Sequence, residues 1–202
     1  MPKPGRPRKF NRDEAIFNAM LLFWEQGFES TSLSQLREAM GNISASSFYT
    51  TFKSKETLFE EVIKMYMDTF GQVTFCLKDS SLEPKHAIEQ ALRQSAKMQT
   101  DGAHPLGCLL VLSATTCSVE NAHIRDMLSK QRKLTRGWLT ACIQNAVEKG
   151  QLKETTDVTM LTTVFQSFLF GISTQVMDGV KFDTINDAIT QIMKVWDFLA
   201  TD

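Results

Sequence analysis

Hydrophobic positions recur at three and four spacing almost from end to end, the period of helices that bury one face. From Asn11 to Gln26 they fall at Ile16, Ala19, Met20, Phe23 and Trp24. Asn11 is placed to cap this stretch, Glu14 stands at the capping-box position, and Gly27 ends it. A stripe of this kind is core, so Trp24 is read as packing. Leu33, Leu36 and Met40 form a shorter stripe, opened by a Ser32/Gln35 capping box and stopped by Gly41. A third pattern runs from about Ser46 to Phe52, with Phe48 and Phe52 one turn apart. Ser54 then caps a longer helix, from Lys55 to about Leu77, with Leu58, Phe59, Val62, Ile63, Tyr66 and Phe70 on one face.

The rest of the chain also reads as helical. Pro84 fits the first turn of a helix that ends near Thr100. Asp101-Gly102-Ala103-His104-Pro105 is the clearest break. Gly107 to Val119 is apolar nearly all round, which predicts a buried segment. The longest helix starts at Ser118 or Asn121 and runs to Lys149. Its Lys130-Gln131-Arg132-Lys133 run reads as a solvated face. Another helix runs from Val158 to about Val180, and Gly171 at its middle predicts a close neighbouring helix. Thr184 is placed to cap the last, with Ile185, Ile189, Ile192, Val195, Trp196 and Leu199 as its stripe. The expectation is an all-α fold of about nine helices, a three-helix head followed by a larger helical domain. Residues 1–10 form a basic arm, 11–54 the head and 55–202 the body.

Composition narrows the class. The chain has 202 residues, 43% hydrophobic and 22% charged, which fits a soluble globular protein. No uninterrupted apolar stretch reaches membrane-spanning length, and no signal core follows the N-terminus, so a cytoplasmic protein is expected. Four cysteines and three histidines stand at no paired or zinc-ligand spacing. No metal, cofactor or disulfide framework is expected. Net charge is -1, yet residues 1–12 carry Lys3, Arg6, Arg8, Lys9 and Arg12 and no acid. MPKPGRPRKF is too rich in proline for a helix. Arg6, Arg8 and Lys9 read as an extended arm that follows DNA, its Arg-Pro-Arg suited to a minor groove.

Helix, turn and short helix, with small polar residues opening the second helix, is the layout of a helix-turn-helix. Ser44, Ala45, Ser46 and Ser47 are small enough to bring backbone close to base edges, where Ser pairs with several bases and Ala meets a thymine methyl. Thr50 follows on the same short helix. Thr31 and Ser32 sit at a helix N-terminus suited to phosphate. Tyr49 is long enough to lie along the sugar-phosphate wall, and Lys53 and Lys55 can neutralise phosphates.

At these residues the chain resembles the TetR family of bacterial transcriptional regulators. The resemblance rests on LLFWEQGFESTSL, on Phe48-Tyr49-x-x-Phe52 and on Lys53-Ser54-Lys55-Glu56-x-Leu58-Phe59, in the family's order and spacing. It covers roughly Phe10 to Phe70. The turn Gly41-Asn42-Ile43-Ser44 reads one residue longer than the family's usual turn, which bears on the register of the second helix. The resemblance implies that Thr31, Tyr49 and Lys55 contact phosphates and that the short helix reads bases. It also implies a homodimer through the last two helices, bound to a palindromic operator in double-stranded DNA. An apolar cavity for a small-molecule effector is implied in the helical body. His104, Cys108, Trp138, Phe165, Gln166 and Phe168 are the candidate lining residues. Cys108 is read first as a small buried hydrophobe and second as a sensing thiol. The leading expectation is a repressor released by its effector. A DNA-bound architectural protein without an inducer is the alternative. An enzyme built on Cys108 and His104 lacks any supporting arrangement of carboxylates, phosphate loop or triad.

Overall fold

The computed structural model describes residues 10–113 and 117–201. Among them are ten α-helices and one 3-10 segment, and no strand beyond an isolated Leu152–Ala200 bridge. The helices are α1 (Arg12–Gln26), α2 (Leu33–Ala39), α3 (Ala45–Phe52), α4 (Lys55–Asp68), α5 (Pro84–Gln99), α6 (Leu109–Leu112), α7 (Ala122–Glu148), α8 (Val158–Met177), α9 (Phe182–Ile192) and α10 (Lys194–Leu199). The 3-10 segment, Phe70–Lys78, lies between α4 and α5.

The all-helical expectation holds, with corrections at four places. The helix expected from Lys55 to Leu77 breaks at Thr69. There the hydroxyl donates to the Met65 carbonyl at 2.7 Å, backbone torsions leave the helical region, and the chain continues as 3-10. The break turns Phe70 toward Trp24 and His104, with ring centroids 5.1 and 4.7 Å away. The last helix begins at Phe182 rather than after Thr184, and divides at Met193. Its end is held by backbone pairing with the loop after α7, where the Lys153 amide donates to Leu199 at 3.0 Å. Between Gly107 and Val119 only Leu109–Leu112 is helical among the described residues, and Val119 is 93% exposed. At Gly171 an added Cβ would meet nothing within 4 Å among the described residues, so no neighbour within the chain packs tightly against it. Finally, α8 alone among the described helices is long and apolar enough to span a bilayer, but Leu161, Phe165, Leu169 and Ile172 sit in the core.

Two apolar clusters hold the fold. The first joins α1–α4 to Leu109, Leu110, Ile124 and Leu128, so α6 and the start of α7 pack into the head's core. Phe23, Phe28 and Phe59 form its aromatic centre at 4.9–5.8 Å between centroids. The second joins the end of the 3-10 segment, α5, the second half of α7 and α8–α10 around Leu92, Ile143, Phe165 and Trp196. Gly107 is fixed by both its torsion and its neighbour. Its φ is +77°, and a Cβ would lie 2.5 Å from Leu112 Cδ1.

Candidate DNA interface and ligand cavity

The head presents α3 by burying its back and capping its start. Phe48 and Phe52 are fully buried, with centroids 5.7 Å apart. Ser44 is the N-cap: its Oγ accepts from the Ser47 amide at 3.0 Å and lies 2.9 Å from Ser47 Oγ. Ala45, Ser46, Ser47, Tyr49 and Thr50 are all exposed. Tyr49 is 53% exposed and held edge-on to Phe48 at 5.6 Å. Thr50 donates its hydroxyl hydrogen to the Ser46 carbonyl at 2.8 Å, which leaves both lone pairs of the oxygen able to accept.

The turn before α3 is built by two left-handed residues, Gly41 (φ +92°) and Asn42 (φ +59°). Arg37 closes it, Nε donating to the Ile43 carbonyl at 2.9 Å. Arg37 escaped the sequence reading. Its position in the last turn of α2, four residues before Gly41, is the signal that could have found it. The corner after α3 is tighter. Lys53 has φ +64° and ψ −50°, and the Ser54 amide reaches back to the Phe52 carbonyl at 2.7 Å. This three-residue turn projects the exposed Lys53 beside the end of α3. Arg12, at the start of α1, pairs with Glu61 at 2.6 Å and lies over the Phe52 ring at 5.2 Å, which ties α3 to α1 and α4.

Three expected phosphate contacts look different in detail. Thr31 is fully buried, and its hydroxyl donates to the Gly27 carbonyl at 2.6 Å. Its side chain therefore locks the loop and is not free for a phosphate. Ser32 is exposed, but as α2's cap its Oγ accepts from Gln35. Lys55 is half-buried, with Nζ 4.3 Å from the Phe28 ring centre, and burial pushes its pKa down. Arg6, Arg8 and Lys9 lie outside the described residues.

In the body, a cavity of about 50 Å³ opens between α4, the 3-10 segment, α5, α6, α7 and α8. Of the six sequence candidates, only Cys108 lines it. Its thiol takes a hydrogen bond from the Tyr66 hydroxyl at 3.3 Å, and burial pushes its pKa up. His104 instead stacks on Trp24 at 4.6 Å, facing a separate groove against the head. Trp138 meets Phe75 and Lys78. Phe165 is core, packed toward Trp196. Gln166 accepts from Arg136 at 2.6 Å, and Phe168 lines an outer groove between α8 and α9. Four of these lie on α7 and α8, where rotation about the helix axis turns them elsewhere, and His104 lies in the loop before α6.

The polar wall that does line the cavity comes from Ser95, Gln99, Arg132 and Thr135. Gln99 is 2% exposed and accepts from the Ser173 hydroxyl at 2.7 Å. Ser95 and Gln99 interrupt the buried stripe of α5 one turn apart, a polar pair at core positions that the sequence displays.

Comparison with known proteins agrees with this architecture. Residues 17–62 match the pattern of bacterial regulatory proteins of the tetR family, and residues 84–196 match the tetracyclin repressor-like C-terminal domain. The HTH-type transcriptional repressor ComR of Escherichia coli K12 is 29% identical over 196 residues, 95% of this chain and 91% of that protein. A cysteine mutant of the TetR family transcriptional regulator CifR, solved in complex with 26bp double-strand operator DNA, is 33% identical. The alignment covers 95% of this chain and all of that one, with a TM-score of 0.86. Reduced NemR of E. coli shares the fold at 19% identity and a TM-score of 0.72, over 90% of this chain and 94% of that one. This chain belongs to the TetR family of bacterial transcriptional regulators.

Proposed function

We propose that the protein is a homodimeric repressor that binds a palindromic operator through α3 and is released when a small molecule occupies the cavity beside α6. The exposed, capped face of α3 carries the reading. Ser46, Tyr49 and Thr50 stand outward on a helix whose back is pinned by two buried phenylalanines. That is the rigid, small-residue edge needed to enter a major groove. The 33%-identical relative in complex with operator DNA supports the same use of this fold. Lys53 and Tyr49 serve the phosphate walls, and Arg6, Arg8 and Lys9 supply the arm.

The dimer reading is supported by an unfilled surface. Phe168, Gly171, Ile172, Thr184, Ile185 and Ala188 line a groove of about 280 Å³ between α8 and α9, and Gly171 leaves its floor open. A helix of a second copy would pack there, giving a four-helix contact across a two-fold axis. Two α3 helices would then read successive major grooves.

The test is to sequence the fragments that the full-length protein retains from the DNA of its source organism. A shared palindrome with half-sites about one helical turn apart is the expected result. Retention without a common motif would replace repression by the architectural reading.

A further inference from the structure

The cavity beside α6 is apolar over most of its wall, through Met67, Val73, Met98, Leu169 and Phe170. One cation faces it. Arg132 is half-buried on α7, and its Nη1 donates to the Leu110 carbonyl at 2.7 Å. Among the described residues no carboxylate lies within 4.0 Å of its nitrogens. Two other body arginines differ. Arg93 holds the Glu89 carboxylate with two nitrogens and also bonds Asn186 and Thr190. Arg136 bonds Gln166 and Thr163. A guanidinium has five N–H donors in a planar fork matched to a carboxylate. Arg132 gives one neutral carbonyl a bond and keeps the rest, while burial works against its charge.

We propose that this cavity binds a small organic carboxylate, its anionic end bidentate on Arg132 and its short acyl body against Met98 and Phe170. The inference rests on reading the cavity as the effector site. A lone arginine in an apolar wall suits a monoanion with a hydrocarbon body; a phosphate dianion would need more donors. A water-sized probe takes roughly 10–15 Å³ of such volume. A cavity of about 50 Å³ therefore suits acetate or propionate, and longer chains require the methionines to move. The geometry also supplies a transmission route. A bidentate carboxylate on the remaining N–H groups draws the guanidinium off the Leu110 carbonyl and so loosens α6. The residue that ends α6, Ser113, donates to the Phe23 carbonyl in α1 at 3.3 Å, which carries the change to the head.

The experiment compares acetate and propionate with acetamide and propionamide on the full-length protein, at constant ionic strength set with chloride. Thermal midpoint reports binding, and fluorescence anisotropy on the recovered operator reports release. The carboxylates are expected to raise the midpoint with dose, because a ligand of the folded state alone stabilises it, and the amides to leave it unchanged. Arg132→Gln should weaken the carboxylate dose response of the thermal midpoint tenfold or more and, because it also removes the bond to the Leu110 carbonyl, should lower operator affinity without ligand. Arg132→Lys keeps the charge but loses the fork, and should weaken it less. Equal shifts from amides and carboxylates, no carboxylate shift at any dose, or an undiminished response in Arg132→Gln would each overturn the proposal. The wild-type comparison stands even if a variant does not fold. The two readings separate cleanly. A carboxylate that stabilises the protein without releasing DNA keeps the anion site and removes the effector role. Release by the neutral amides alone does the reverse.

Discussion

The head and the body use polar residues in opposite ways. In the head they point outward from a tightly aromatic core: Ser46, Tyr49 and Thr50 are exposed, while Phe23, Phe28, Phe48, Phe52 and Phe59 are buried beneath them. In the body the informative polar groups point inward. Gln99 and Ser173 are buried, and Arg132 faces a small apolar cavity. A DNA surface can be built on an ordinary amphipathic helix because water solvates it until DNA arrives. A ligand cavity asks the fold to keep hydrogen-bonding groups away from water, at a desolvation cost that only partners or ligand offset. The head is thus rigid at its back and free at its front, and the body carries its functional groups inside its own core.

The largest effect that separates the two regions comes from Phe48. It is fully buried and packs on Phe52 and Tyr49. Phe48→Ala should destabilise the head by about 3–5 kcal/mol, as large core truncations do. DNA binding should be lost while circular dichroism shows the long body helices retained until a second, higher transition. A single unchanged transition would show that the two clusters unfold as one, and the contrast drawn between them would then fail for stability.

Next in size is the buried pair inside the body. Ser173→Ala leaves the Gln99 carbonyl oxygen without the hydroxyl that now donates to it at 2.7 Å. The cost is about 1–3 kcal/mol for an unsatisfied buried acceptor, read as a lower midpoint in thermal unfolding. Adding Gln99→Leu removes the stranded group, so the double variant should be more stable than Ser173→Ala alone. Operator binding of the unliganded protein should survive both changes, in contrast with Phe48→Ala.

These two cases also explain what was legible in the sequence. The head could be read almost residue by residue, because local rules decide it. The Ser32/Gln35 capping box, the Ser44 region and the Ser54 cap act within one helical turn, and all three form hydrogen bonds there. Thr31 shows the limit: a threonine before a cap looks solvent-facing, yet the loop folds its hydroxyl onto Gly27. The body cavity was hardly legible. Its wall is set by how six elements rotate against one another, and a shift of one residue around a helix turns Phe168 from cavity to outer groove. In the sequence Arg132 reads as part of a solvated run, because Lys130 and Lys133 flank it. Only the approach of α6 places it against the cavity. The break at Thr69 is of the same kind, since no glycine or proline precedes it and its geometry follows Phe70 packing on Trp24.

A smaller effect tests the outward side. Ser44 caps α3, so Ser44→Ala should cost about 1 kcal/mol and Ser44→Gly only a few tenths. If the exposed edge of α3 works as a rigid unit, operator affinity should fall in the order wild type, glycine, alanine. A serine hydroxyl that reads a base would instead make glycine and alanine equally poor.

The smallest predicted effect lies where the two regions meet. Glu29, in the loop after α1, accepts from the Ser118 amide at 2.6 Å and from Asn121 Nδ2 at 3.0 Å, joining the head to the start of α7. The Asn121 hydrogen bond, then those from Ser118, hold its carboxyl below the usual glutamate range, although the group is open to water. A carboxylate with a depressed folded-state pKa contributes its full share above the ordinary glutamate value and loses it as pH falls through the folded value. The clasp should therefore be intact at neutral pH and weaken only in the acid range. Solvent keeps the effect small. Glu29→Gln should lower the thermal midpoint slightly at pH 7, and the gap from wild type should close as the pH drops below the ordinary glutamate value. Hydrogen exchange at the start of α7 is the sharper readout, because the clasp acts there and not on either core. Faster exchange in the variant at pH 7, with α3 unchanged, would place the coupling between head and body in this loop. Equal exchange at both pH values would instead leave the coupling to Ser113 and to the packing of α6 and the start of α7 in the head's core.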